Sequence, residues 1–118
     1  MIRVLPDDVV KAYAATNLIP IRCAWTTTDS RGGCAIDALA IHHGVATEDL
    51  REQLTEGYEE GFLLAWDAQD PRCDAIINWV KANTSDVLKR GFCDGLLCRS
   101  AVEKTFSSEL FPVIPDKA

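Results

Sequence analysis

Residues 34–44 read CAIDALAIHHG, a run that is apolar on nearly every side once it is coiled into a helix. A surface helix keeps one polar face, so a helix without one belongs at the centre of a fold. Gly44 is a natural C-terminal cap, because glycine adopts the left-handed backbone conformation without strain. His42 and His43 fall in the last turn, where the negative end of the helix dipole favours positive charge. The run therefore predicts a buried central helix.

Helix signals also occur on both sides of this run. Pro6, followed by two aspartates, suits a first turn, and Asn17 suits the end of that helix. Thr47 can cap a helix that continues to about residue 69, with a weak point at Gly57. The last two predicted helices begin at Pro71, with Asp70 as cap, and at residue 85 or 86, continuing to about residue 104.

One segment carries strand signals instead. Residues 19–28, IPIRCAWTTT, are rich in β-branched and aromatic side chains and predict a short extended segment. The whole chain, residues 1–118, is long enough for a single globular domain with one hydrophobic core. Two prolines in its last residues make 105–118 an irregular tail. The predicted fold class is mostly α, with about five helices in a bundle-like arrangement.

Composition disfavours several classes of partner. The net charge is −6 and no basic run is present, which disfavours nucleic acid and anionic membrane surfaces. No apolar run approaches the roughly 18–20 residues needed to cross a bilayer. The start, MIRVLPDD, does not resemble a secretory signal, and the five cysteines are odd in number. Reduced thiols in the cytoplasm fit these features best.

Two glycine pairs stand out within predicted helices. GYEEGFLL at 57–64 and GFCDGLLC at 91–98 each place two glycines four residues apart, on one helix face. Glycine inside a helix costs about 1 kcal/mol relative to alanine, so a compensating reason is expected. The predicted reason is close helix packing, either of the two ridges on each other or of a ridge on its copy in a homodimer. Space for a neighbouring aromatic ring is the alternative. The ridge residues are Gly57, Gly61, Ala65, Gly91 and Gly95.

Cys34 is the candidate nucleophile, because a thiol at a helix N-terminus lies near unpaired backbone N–H groups that lower its pKa. Its base would have to be His42 or His43, the only histidines in the chain. Along one helix, however, Cys34 and His42 are separated by about 12 Å at about 1.5 Å per residue. A base must lie within about 3 Å of the proton that it takes. Asp37 lies one turn from Cys34, and a nearby carboxylate raises a thiol pKa.

Metal and small-molecule sites are the remaining interpretations. His42 and His43 are metal candidates, but adjacent helical residues face different ways, and no pair of cysteines has the spacing of a structural zinc site. No cofactor is predicted. Asp37 interrupts an apolar helix, either because an acid near the helix start is favourable or because it belongs to a polar pocket. Trp25, Trp66 and Trp79 could line such a pocket or belong to the core.

The first 70 or so residues resemble a family of short bacterial hypothetical proteins with an AY..T.L.P opening, a C…AL helix and a later GF..G[FW]D helix. The matching positions are Ala12, Tyr13, Thr16, Leu18 and Pro20, then Cys34, Ala38 and Leu39, and more loosely Gly61, Phe62, Trp66 and Asp67. No established activity comes with this family. The resemblance implies a bacterial, cytosolic origin and no function.

The sequence leaves three functional hypotheses. The first is a helical protein without catalytic machinery that binds a protein partner or itself. The second is a thiol enzyme or redox sensor that uses Cys34. The third is a binder of small molecules with a tryptophan-lined pocket.

Overall fold

Six helices and two short strands make up the part of the chain that this computed structural model describes, residues 2–23, 25 and 31–106. The order is α1 (Pro6–Thr16), β1 (Ile19–Pro20), β2 (Gly32–Gly33), α2 (Ala35–His43), α3 (Thr47–Glu52), α4 (Tyr58–Asp67), α5 (Asp74–Ala82) and α6 (Asp86–Phe106). The prediction of a mostly helical protein is confirmed. The predicted tail begins inside α6 at residues 105 and 106, and its remainder lies outside the described residues.

The ends of α1 and α2 follow from local chemistry. Asn17 ends α1 in the left-handed conformation, with φ of 58°, and Gly44 ends α2 in the same way, with φ of 72°. At the other end of α2, the Cys34 sulfur accepts a hydrogen bond from the Asp37 N–H at 3.5 Å. Residues 35–40 are all buried, as the apolar character of this run predicts.

Two predicted helix bounds are wrong. The helix predicted over 47–69 is divided into α3 and α4, because Gly57 takes φ of 92°, which no helix accommodates. α5 begins at Asp74, and not at Pro71. The Asp70 side chain accepts a hydrogen bond from the Arg72 N–H, and the Asp70 carbonyl accepts one from the Cys73 N–H, so this stretch forms a turn.

Among the described residues of the predicted extended segment, Ile19–Pro20 form a strand. β1 pairs with β2 in parallel, with Ile19 opposite Gly32 and Pro20 opposite Gly33. The sequence predicts the first strand but not its partner, since two glycines carry no strand signal. Residues 24 and 26–28 of the predicted segment lie outside the described residues.

The closest helix contact joins α4 to α6 through glycines. A Cβ added to Gly61 would meet the Leu88 carbonyl and lie 2.9 Å from the Phe92 nitrogen. A Cβ on Gly91 would meet the Tyr58 carbonyl in the same way. Gly95 faces the Phe62 carbonyl and the Ala65 methyl group. The two predicted ridges therefore meet each other within one chain, while Gly57 stands just before α4.

A row of aromatic rings along α4 fills the core. Tyr58, Phe62 and Trp66 follow one another at intervals of four residues, with ring centroids 6.4 and 6.2 Å apart and nearly parallel planes. The Tyr13 ring of α1 continues the row on Trp66 at 6.3 Å. Burial of such side chains contributes about 1.5–3 kcal/mol each. Among the described residues, no helix is long and apolar enough to span a membrane.

A buried carboxylate ties the start of the chain to α4 and α6. Asp94 is 1% exposed and accepts two hydrogen bonds from the Arg3 guanidinium, at 2.8 and 3.0 Å. The Tyr58 hydroxyl donates to the same carboxylate and accepts the Val4 N–H at 2.8 Å. All members of this network are satisfied, which is what a buried charge requires.

We expect the free energy of unfolding to depend on pH in the acid range because of Asp94. Burial raises the pKa of Asp94, but hydrogen bonds from Arg3 and Tyr58 outweigh it, and the net pKa lies below the ordinary value. The unfolded chain then binds this proton more readily, so the stabilisation is complete above about pH 4 and is lost as pH falls through the folded pKa. The Asp94→Asn variant has no carboxyl group at this position, so its free energy of unfolding should not show this loss.

Urea denaturation between pH 7 and pH 2.5 measures the effect. The free energies of unfolding of wild type and Asp94→Asn should converge as the pH falls below 4. Glu52→Gln, on an exposed position of α3, serves as the control. Two curves that stay parallel down to pH 2.5 would show that Asp94 has no linked proton.

Candidate functional site

A pocket of about 160 Å³ opens beside the carboxyl end of α4. Its described wall combines two thiols, an indole, an aliphatic side chain and a carboxylate, from Cys23, Trp25, Cys34, Leu63 and Asp67. The volume is comparable with the roughly 150 Å³ cavity that binds benzene in an engineered protein. The pocket therefore has room for about one ring.

The strand pair and the loop after it bring the pocket residues together. The Ile21 N–H donates to the Gly33 carbonyl at 3.4 Å, and the Cys34 N–H donates to the Trp25 carbonyl at 2.9 Å. Ile21 and Trp25, on either side of Cys23, are thus both bonded to the residues that precede α2. The Trp66 indole N–H donates to the Ile21 carbonyl at 2.8 Å and holds this loop against α4.

Two arginines satisfy the carbonyls at the end of α4. The Arg99 guanidinium, from α6, donates to the carbonyls of Ala65, Trp66, Ala68 and Gln69. Arg22 donates to the carbonyl of Asp67 at 3.1 Å. The last carbonyls of a helix have no partner within it, so these side chains fix where α4 ends. They also fix the position of Asp67.

Asp67 supplies the carboxylate of the site. Its Oδ1 accepts the Cys23 N–H at 2.9 Å, and its Oδ2 accepts no hydrogen bond from the described part of the chain. Burial raises the pKa of Asp67, although the Cys23 N–H and the nearby Arg22 and Arg99 partly oppose this. A carboxylate oxygen beside a small apolar space is an acceptor for a ligand N–H group.

Trp25 is held from outside the pocket by a charged pair. The Arg51 guanidinium lies over the Trp25 ring at 4.4 Å from its centroid and donates two hydrogen bonds of 2.8 Å to Glu59. A cation over an indole face is attractive, and the bidentate carboxylate contact fixes the orientation of the guanidinium. This contact links α3 to α4 across the outer face of the pocket.

Cys34, the candidate nucleophile of the sequence analysis, lies in the wall of the pocket but is only 1% exposed. Burial raises the pKa of its thiol to about 12, against the effect of backbone hydrogen bonds from Asp37 and Ile36. The thiol is therefore protonated at neutral pH. The two histidines lie on exposed positions at the opposite end of α2, where their rings contact each other at 5.1 Å.

Of the residues predicted for a pocket, only Trp25 lies in its wall. Trp66 is fully buried in the core, and Trp79 is 50% exposed on α5. Asp37 faces the start of α3 instead, where its Oδ1 accepts the Thr47 hydroxyl at 2.7 Å. Its Oδ2 is buried, has no hydrogen-bond partner among the described residues and lies against Gly33.

A metal site would need a cluster of ligands. In residues 2–23, 25 and 31–106, no group of three or more histidine, cysteine or acidic side chains is arranged to hold a metal ion. His42 and His43, the predicted candidates, have no third ligand there.

Cys23, Leu63 and Asp67 lie in the pocket wall without having been predicted from the sequence. One signal could have found Asp67, because an acid in the last turn of a helix opposes the helix dipole and needs a compensating contact. No signal points to Cys23, which takes a positive φ of 70° that non-glycine residues rarely adopt.

Comparisons with protein-family models, curated proteins and solved structures find nothing that matches this chain.

Proposed function

We propose that the protein binds a small, flat nitrogen compound in the pocket at the end of α4. The observation that carries the proposal is the Oδ2 of Asp67, which accepts no hydrogen bond from the described residues, beside a space of about one ring walled by Trp25 and Leu63. The ring of the ligand lies against the apolar wall, and its N–H groups donate to the carboxylate. Such a combination of an apolar wall with one fixed polar group is typical of small-molecule sites.

The other two hypotheses have weaker support. Self-association was motivated by the glycine ridges, and the faces of Gly61, Gly91 and Gly95 are already covered within one chain. A second copy therefore has no access to them. Catalysis by Cys34 lacks a histidine base, because both histidines lie at the far end of α2, and the buried thiol is protonated at neutral pH. Ligand binding requires neither feature.

A reducing compartment, the cytoplasm of a bacterium, is part of the same proposal. Its support is the set of five free thiols, two of which line the pocket. Disulfides persist in oxidising compartments and are rare in the cytosol. The net charge of −6 supports a partner other than nucleic acid.

The test uses three probes of one shape and different charge: benzamidine, benzamide and benzoate. We expect benzamidine to bind with a Kd of about 1 mM, which is about −4 kcal/mol and reasonable for nine non-hydrogen atoms. Benzamide should bind more weakly, and benzoate should not bind, because its carboxylate repels that of Asp67. Two-dimensional NMR of the ¹⁵N-labelled protein, followed at the indole N–H of Trp25, measures each Kd.

Two variants locate the site. Asp67→Asn should weaken benzamidine binding about tenfold or more, since a hydrogen bond to a charged group contributes about 1.5–3 kcal/mol. Trp79→Phe, on an exposed position of α5, should leave the Kd unchanged. Binding to wild type should also weaken as the pH falls through the raised pKa of Asp67. Equal affinity for benzamidine and benzoate, or no effect of Asp67→Asn, would contradict the proposal.

A further inference from the structure

The pocket wall brings together two cysteines that are ten residues apart with different access to solvent. Cys23 is exposed, and Cys34 is buried. Ile21 and Trp25, two residues on either side of Cys23, are joined by backbone hydrogen bonds to Gly33 and to Cys34. Cys23 can therefore lie no more than about 7 Å from either of these anchored residues. A disulfide needs Cα atoms about 4.4–6.8 Å apart, and both thiols already lie in the wall of one small pocket.

We propose that Cys23 and Cys34 form a reversible disulfide across the pocket when the protein meets a hydroperoxide. Cys23 reacts first, and Cys34 resolves the product. This modification does not depend on a ligand of the pocket, so its test and that of the proposed function can fail separately.

The Cys23 thiolate attacks one oxygen of the hydroperoxide and becomes a sulfenic acid, while the other oxygen leaves as an alkoxide and takes the proton that Cys23 lost. The Cys34 sulfur then attacks the sulfenic sulfur and displaces hydroxide, which takes the proton of Cys34 and leaves as water. The two thiols lose two electrons, and the O–O bond of the hydroperoxide gains them.

The division of roles follows from burial. Cys23 is accessible to a dissolved oxidant, whereas Cys34 is 1% exposed. The raised pKa of Cys34 keeps it from reacting with a free oxidant. Its sulfur reacts once a sulfenic acid is formed in the same pocket, because the high local concentration of the two groups compensates for the low fraction of thiolate.

The remaining cysteines provide controls. Cys98 is buried, and its thiol donates to the Val4 carbonyl at 3.5 Å on another side of α6. Cys93 lies on α6 and is exposed, as Cys23 is, but Cys93 does not line this pocket. Access to solvent alone would make Cys93 as reactive as Cys23, while a pair built by the fold makes Cys23 and Cys34 react together.

The experiment treats the reduced full-length protein with one equivalent of hydrogen peroxide, blocks remaining thiols with N-ethylmaleimide and digests with trypsin. Cleavage after Arg22, Arg31 and Arg51 puts Cys23 in the peptide 23–31 and Cys34 in the peptide 32–51. We expect these two peptides to be joined, 2 Da below the sum of their masses, as the main product. The same treatment in 8 M urea should give mixed pairings.

Variants separate the two roles. Cys23→Ser should remove the joined peptides, and Cys93→Ser should leave their yield unchanged. In Cys34→Ala, dimedone should trap the sulfenic acid of Cys23 at least tenfold more than in wild type, because the resolving thiol is gone. Cys23 is exposed, so its variant remains interpretable if Cys34→Ala fails to fold. Joining of Cys23 to Cys73 or Cys93, pairing between chains, or dimedone labelling of Cys93 in place of Cys23 would overturn the proposal.

Discussion

Gly61→Ala should lower the free energy of unfolding by about 3 kcal/mol or more, the upper end for an overpacked contact, although alanine is the better helix former by about 1 kcal/mol. The added methyl group meets the Leu88 carbonyl and lies 2.9 Å from the Phe92 nitrogen. Both are backbone atoms, which cannot rotate away as the end of a side chain can. α4 and α6 must therefore separate, and the packing along their whole contact loosens.

Gly91→Ala should have an effect of the same size. Its methyl group meets the Tyr58 carbonyl on the opposite helix, at the same crossing of α4 and α6. Since one separation of the helices relieves both contacts, the double variant Gly61→Ala, Gly91→Ala should cost less than the sum of the single variants. This shortfall distinguishes a shared helix contact from two independent clashes.

Chemical denaturation and thermal melting measure these losses. Total stabilities of about 5–15 kcal/mol mean that each variant loses a large share, and the melting temperature should fall by more than about 10 °C. Gly44→Ala is the matched control, because its methyl group meets no atom within 4 Å and only the φ of 72° is strained. That strain costs about 1 kcal/mol. A loss no larger in Gly61→Ala than in Gly44→Ala would disprove the close contact.

Arg99→Met should lower the free energy of unfolding by about 3 kcal/mol. The Arg99 guanidinium donates to the carbonyls of Ala65, Trp66, Ala68 and Gln69, and methionine fills the same space without any donor. Each carbonyl left buried without a partner costs about 1–3 kcal/mol, although those near the surface recover water. The end of α4 should loosen, and Asp67 with it.

Two neighbouring variants calibrate this result. Arg99→Lys keeps the charge but presents one ammonium group where the guanidinium presents a planar fork. Its free energy of unfolding should therefore lie between those of wild type and Arg99→Met. Glu103→Gln removes only the 3.4 Å ion pair with Arg99 on the surface of α6, which is worth about 0.5 kcal/mol. Urea denaturation gives all three values. Equal losses for Arg99→Met and Glu103→Gln would mean that the carbonyl contacts contribute nothing.

The sequence predicts those parts of the fold that depend on neighbouring residues. The burial of α2 follows from its apolar run, and the ends of α1 and α2 follow from Asn17 and Gly44. Gly61 and Gly91 were singled out because glycine in a helix needs a reason, and the structure places them on opposite sides of one contact. Each of these features is determined by a few consecutive residues.

The parts that the sequence does not predict depend on distant residues. Whether residues 53–57 continue a helix is decided by the φ of Gly57, which α6 accommodates at its N-terminal end. The pairing of β1 with two glycines follows from the position of α2. The pocket needs residues 23, 34 and 67 together, and Arg99, 32 positions beyond Asp67, helps to place that carboxylate. No local pattern connects them.

The most direct test of the ligand site is the place where benzamidine contacts the protein. Intermolecular nuclear Overhauser effects from the benzamidine ring to ¹³C-labelled leucine methyl groups report it. The proposed site predicts contacts to the methyl groups of Leu63. Contacts to Leu54, in the groove beside the N-terminal residues, or to the 56% exposed Leu97 would contradict it.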